Sequence, residues 1–228
     1  MGVINFSNLY KLLIHFMKKL YVFLFALVCA VTSCGPSIYT ATNFSEVKSA
    51  HKTVAILPFE VQIDTKRLPK GVTAATLQDQ QKSTGFAVQN SVYAYLLKEM
   101  SKNKYTVDFQ DIDKTNSLIL QSGISYEDLR KLSKEEACKL LGVDAVIGGK
   151  VITSRPMSDG AALALGVLVG AWGSTNNTHA TVTIHDKSES KLLWKYDYQA
   201  SGSIGSSSEN LTNALMRSVS KKFPYRRA

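Results

Sequence analysis

Between His179 and His185 the apolar residues Ala180, Val182 and Ile184 alternate with His179, Thr181, Thr183 and His185. A period of two sends successive side chains to opposite faces of a strand, so the stretch predicts one buried and one wet face. Leu192, Trp194, Tyr196 and Tyr198 repeat the alternation against Lys195, Asp197 and Gln199, and Lys187-Ser188-Glu189-Ser190 between the two runs predicts a hairpin. Residues 54–59 and 145–154 are apolar runs of strand length, and 105–110 reads as a further strand. Helical spacing predicts a long helix over about 76–102, weakened in its middle by Gly85, and a second over 112–121 closed by Gly123. Ser125 and Ser133 each precede a helical stretch; Ser133 with Glu136 forms an S-x-x-E capping box, and Gly142 suits the left-handed residue that ends a helix. A last helix spans about 209–222, stopped by Pro224.

Strand and helix alternate first and an antiparallel hairpin follows, which predicts a single α/β (α+β) domain over 51–228. Its mixed sheet is expected to hold about five strands, with helices mainly on one face and the C-terminal hairpin followed by a closing helix. Residues 34–50 are polar and aperiodic and read as a flexible tether with a reach of about 20 to 24 Å.

The chain has 228 residues and a formal charge of +9, of which Lys11, Lys18 and Lys19 lie in an N-terminal stretch without acidic residues. Met17-Lys18-Lys19 is followed by an unbroken apolar run over 20–31 and then by Thr32-Ser33-Cys34, the order of a secretory signal. Twelve residues at ~1.5 Å rise reach about 18 Å, short of a ~30 Å hydrocarbon core, so a permanent span is the weaker alternative. Val31-Thr32-Ser33-Cys34 resembles the lipobox of bacterial lipoproteins, in which the signal is cut before the cysteine and the cysteine is diacylated. An ordinary secretory signal that happens to precede a Cys is the alternative. On this reading 1–33 is the signal, Met17 is the expected true start, and palmitate-type acyl chains on Cys34 anchor the protein to a membrane without spanning it. Gly35-Pro36-Ser37 carries no acidic residue after the Cys, so the expected location is the outer membrane, facing the periplasm.

Three short motifs, Val54-Ala55-Ile56-Leu57-Pro58-Phe59, Leu141-Gly142-Val143-Asp144-Ala145-Val146-Ile147-Gly148-Gly149 and Lys191-Leu192-Leu193-Trp194, together resemble the periplasmic α/β domain of the CsgG, LpoB and TolB N-terminal group. The resemblance implies a non-enzymatic envelope lipoprotein whose domain binds a protein partner. It also raises a second possibility, a subunit of a membrane-inserted oligomer or secretion pore. A CsgG-type channel needs a second membrane hairpin after Tyr198, but 201–208 is a short Ser/Gly stretch, below the two strands of ~9 to 11 residues that a hairpin requires.

No catalytic constellation is visible, and no cofactor is expected. Gly202-Ser203-Ile204-Gly205-Ser206 has the wrong order for a nucleophile elbow, and Gly149-Lys150 lacks the upstream glycine of a phosphate loop. His179 and His185 share a strand face but lie about 20 Å apart, so they cannot hold one metal ion and read as solvated polar residues. Cys138 reads as a small buried apolar residue, and Trp194, Tyr196 and Tyr198 as core. The basic tail over 221–227 reads as solvated, and export removes nucleic acid as a partner.

Residues 161–172 are twelve residues without a polar side chain, between two strands. At helical spacing Leu165, Leu168, Val169 and Trp172 form a bulky ridge beside small residues. This apolar insertion, over 160–173, is the expected contact with membrane, protein partner or a second copy, unless it packs on its own sheet.

Overall fold

The computed structural model describes residues 37–64, 68, 71–154, 177–201, 208–220 and 222–227, together with His15 and Met17–Lys19, which are helical. The chain divides into two compact units, Met1–Gly35 and Pro36–Ala228, and the second holds the sheet. Its strands are β1 (Ser37–Thr40), β2 (Thr53–Ile56), β3 (Glu60–Asp64), β4 (Asp108–Phe109), β5 (Ala145–Ser154), β6 (Asn177–Asp186) and β7 (Leu192–Ser201). The helices are α1 (Phe44–Ala50), α2 (Ala74–Met100), α3 (Ile112–Gln121), α4 (Tyr126–Leu129), α5 (Lys134–Leu141) and α6 (Ser208–Val219).

The fold is a mixed α/β sheet in the order β1-β7-β6-β5-β2-β4, with β3 also on β5. The β2, β3 and β4 pairings are parallel, and β5, β6, β7 and β1 form an antiparallel run. β2 and β3 share one edge of β5: Val54–Ile56 lies against Ala145–Ile147, and Glu60–Asp64 against Lys150–Ser154. Pro58 explains the interruption, since it brings no N–H to the ladder. Leu57 still donates to Ile147 at 2.9 Å before the chain steps off.

The sheet has seven strands against the expected number of about five, β1 and β3 being the additions. The expected strand over 105–110 shrinks to Asp108–Phe109, with Tyr105 bridging instead to Arg226. The tether expectation also needs correction. Ser37–Thr40 pairs antiparallel with β7, and Phe44–Ala50 is a helix whose Phe44 is buried against Tyr225. A four-residue edge strand exposed along its length leaves no burial pattern for periodicity to detect.

Helices flank both faces rather than mainly one. Val54 and Ile56 face a core with Val88, Val92 and Leu96 of α2 and Leu215, Met216 and Val219 of α6, which also holds Trp194 and Tyr196. Ala55 and Leu57 point the other way, to Ile119, Leu129, Ala137, Cys138 and Leu141 of α3, α4 and α5. A parallel strand buried on both sides reads as a continuous apolar run, which is what 54–59 is. Two glycines permit close approach: a Cβ at Gly149 would lie 2.2 Å from the Phe59 ring and 2.5 Å from the Thr181 carbonyl, and one at Gly85 2.3 Å from the Phe59 carbonyl. Gly85 therefore lets α2 meet the β2–β3 break.

Candidate functional site

The second helical layer covers β2, the start of β5 and the His185 end of β6 on its sheet face. Beyond it, no described helix covers the surface on which Lys150, His179, Thr181, Thr183, Lys195 and Asp197 stand half-buried between neighbouring strands. At the boundary lies a cavity of about 190 Å³. Its floor is the β2–β3 break and Gly148-Gly149-Lys150 of β5; its wall is Tyr126, Arg130 and Lys134 from α4 and the start of α5. Gly148 presents no side chain to it, and a Cβ there would meet only Thr183 Oγ1, at 3.7 Å.

Glu60 organises the charge. Its Oε1 lies 3.0 Å from Lys150 Nζ and 3.8 Å from Arg130, which also pairs with Glu127. Lys134 opens α5, and burial lowers its pKa from the ordinary lysine value while Glu60 opposes that shift. Tyr126 donates to the Phe59 carbonyl at 2.6 Å, and burial raises its pKa. The His185 pKa is pushed down to about 4 by burial and then by the Lys134 charge, so its imidazole is neutral near pH 7. Its Nδ1 is buried and has no hydrogen-bond partner among the described residues. The expectation of a solvated His185 is thus corrected: it stands beside a lysine under a helix start. His179 is the more open of the two, with Nε2 3.8 Å from Asp197. Burial acts to raise the Asp197 pKa, but hydrogen bonds from Lys195 and Thr181 outweigh it and hold it low.

A second polar group escaped sequence reasoning. His51 is buried, with Nδ1 2.6 Å from the Tyr225 hydroxyl and Nε2 2.9 Å from Asp186 Oδ1. With Nε2 donating to the carboxylate and Nδ1 accepting from the Tyr225 hydroxyl, all three groups are satisfied. The network ties the start of β2 to the β6–β7 hairpin and to the C-terminal tail, enclosed within the protein. The tail is accordingly docked, not solvated: Phe223 and Tyr225 are buried against Trp194, Tyr105 and Phe44. Only the aromatic pair Phe223 and Tyr225, set between two pairs of basic residues, hinted at this.

Cys138 is buried among apolar residues, and burial pushes its pKa up to about 12. Such a thiol is not a nucleophile at neutral pH. Trp194 and Tyr196 are fully buried and stacked. Among the described residues no group of three or more His, Cys, Asp or Glu is placed to hold a metal ion, and no helix is long and apolar enough to cross a membrane. Cys34, Leu165, Leu168, Val169 and Trp172 lie outside the described residues, as does the whole insertion between β5 and β6.

No family model matches the chain, and no curated protein matches it. Among solved structures, lipoprotein GNA1162 from Neisseria meningitidis is similar at 13% identity and a TM-score of 0.43, over 75% of this chain and 94% of that one. A PelC dodecamer from Paraburkholderia phytofirmans gives 11% and 0.39, over 82% and 95%. The LpoB C-terminal domain from Salmonella enterica gives 8% and 0.36, over 69% and 92%.

Proposed function

We propose that the protein is a non-enzymatic lipoprotein of the bacterial outer membrane, anchored through acyl chains on Cys34, whose domain binds a protein partner in the envelope. The observation that carries the anchor is the join of Lys18-Lys19, the apolar run over 20–31 and Val31-Thr32-Ser33-Cys34. The fold adds a constraint. Ser37 already pairs with Asp197, so only Gly35 and Pro36 separate the lipidated residue from the sheet. Three residues span at most about 11 Å, so the domain is held close to the bilayer and not on a long leash.

The partner surface is the part of the sheet that the described helices leave open, with the Glu60, Arg130, Lys134 and Lys150 cavity at its border. A wet face with fixed ion pairs and a shallow cavity suits polar recognition. A photo-crosslinking residue at Thr181 tests this in cells. A discrete adduct that Lys150→Glu abolishes, and that a crosslinker at exposed Lys131 does not give, supports the reading; equal adducts from both positions contradict it.

The apolar insertion is proposed as an additional contact with membrane, partner or a second copy through Leu165, Leu168, Val169 and Trp172. Its connection supports this: β5 and β6 pair in register from Ala145–Asp186 to Ser154–Asn177, so the insertion joins the far ends of one long hairpin. Leu165→Glu with Val169→Glu is expected to disrupt association while leaving the melting temperature little changed. A loss of several kcal/mol in stability, the consequence of burying unpaired charge, would assign the segment to the core instead.

A further inference from the structure

α2 and α6 pack side by side, and a polar groove of about 690 Å³ opens along their outer surface. Ser91, Tyr95 and Lys98 recur at helical spacing along α2, Lys102 follows just past its end, and Asn213 and Arg217 face them from α6. One end of the groove is neutral and hydrogen-bonding, through Ser91, Tyr95 and Asn213. The other is cationic, and Glu99 is the only carboxylate lining it among the described residues. That carboxylate is already engaged: hydrogen bonds from Lys102 and Lys104 hold the Glu99 pKa down at about 2.

The docked C-terminal tail extends the positive end. Tyr105 bridges to Arg226, and Arg227 donates from its backbone to the Lys104 carbonyl and from Nε to the Tyr105 carbonyl at 2.8 Å. Cations in the last turn of a helix are ordinary, since they offset the carbonyl end of the dipole. That accounts for Lys98 and Arg217 at most. Lys104, Arg226 and Arg227 stand outside both helices and are fixed beside the groove by the burial of Phe223 and Tyr225.

We propose that this groove binds an acidic oligosaccharide, with carboxylates against Lys98, Lys102 and Arg217 and sugar hydroxyls or a ring face against Ser91, Asn213 and Tyr95. A concave, hydroxyl- and amide-lined floor distinguishes it from a flat headgroup surface, which asks only for exposed charge. The inference is independent of the protein-partner surface, which lies on the opposite face of the sheet.

The test uses the full chain in a neutral detergent and fluorescence anisotropy of labelled oligogalacturonate, a carboxylate-bearing oligosaccharide, against a neutral malto-oligosaccharide. Wild-type protein is expected to bind the acidic oligomer selectively, more weakly at higher salt. Lys98→Glu with Arg217→Glu is expected to weaken binding about tenfold or more, a change of roughly 1.4 kcal/mol. A control with the same change of charge on α3 and beyond α4, Lys114→Glu with Lys131→Glu, is expected to bind within about threefold of wild type. Circular dichroism of both variants confirms that they are folded. Equal binding of the neutral oligomer, an equal loss in the control, or no binding by wild type overturns the proposal. So does a preference for vesicles containing anionic phospholipid that the groove variant abolishes, which would assign the surface to lipid.

Discussion

Asp144 shows how much one side chain in an apolar motif can hold. Its Oδ2 accepts the backbone N–H of Lys52 at 2.8 Å and of Thr53 at 3.1 Å, and its Oδ1 accepts from Lys187 at 2.7 Å. Partial burial works to raise its pKa, but these donors outweigh that and bring it down to about 2. Asp144→Ala leaves the two amides at the start of β2 without their acceptor, and chemical denaturation is expected to show a loss of about 1 to 3 kcal/mol. His185 makes a pH-dependent prediction. Its folded pKa of about 4 lies below the ordinary histidine value of 6.5, so the unfolded chain binds its proton more readily. Its contribution is present above pH 6.5 and is lost as the pH falls toward 4. Melting temperature is expected to fall over that window, and His185→Gln to flatten the fall; an unchanged profile would show that His185 is not the group responsible. At this scale the sequence was a partial guide. The Ser133–Glu136 capping box and the left-handed Gly142 stand as read, because such local chemistry is written in adjacent residues. The His51–Asp186–Tyr225 network was not legible, because its members are brought together only by the fold.

At the scale of elements, periodicity located what is long and half-buried. The helix over 112–121 and the strand over 145–154 have the expected bounds, and the β6–β7 hairpin pairs as its alternation requires up to Ile184–Trp194, beyond which a register shift buries Leu193 in place of the expected Leu192. β3 carries the same signal, with Val61 and Ile63 buried between Glu60, Gln62 and Asp64, but it follows directly on a run that Pro58 had closed. β1 and β4 are short edge strands whose existence depends on a neighbour, so their own residues say little. The β2–β3 break is held by close contact, which gives a prediction for Gly149. A methyl there meets the Phe59 ring and the Thr181 carbonyl well inside contact distance, so Gly149→Ala is expected to destabilise the domain by about 1 to 3 kcal/mol through overpacking. Gly148→Ala, which meets one hydroxyl at 3.7 Å, is expected to change stability far less. Equal denaturation midpoints for the two variants would contradict the packing described for Phe59.

For the whole molecule, the described helices and strands account for stability, and the surface left over carries the functional reading. One sheet face is covered by α2 and α6; the other is covered at β2, the start of β5 and the His185 end of β6, and left open by the described helices over the rest of β6 and over β7. The sequence conveyed the class of fold, because apolar period is a property of adjacent residues. It did not convey the cavity beside Glu60 or the groove between α2 and α6, which assemble from segments distant in the chain. The proposed anchor on Cys34 would determine which compartment and which partners this surface meets. The most direct measurement is metabolic labelling with radioactive palmitate, combined with the intact mass of the membrane-extracted protein and of Cys34→Ser. The account predicts a labelled wild-type chain that begins at acylated Cys34, and a variant without label that is absent from washed membranes. A labelled variant retained in the membrane, or a wild-type chain cut elsewhere and free of lipid, would contradict it.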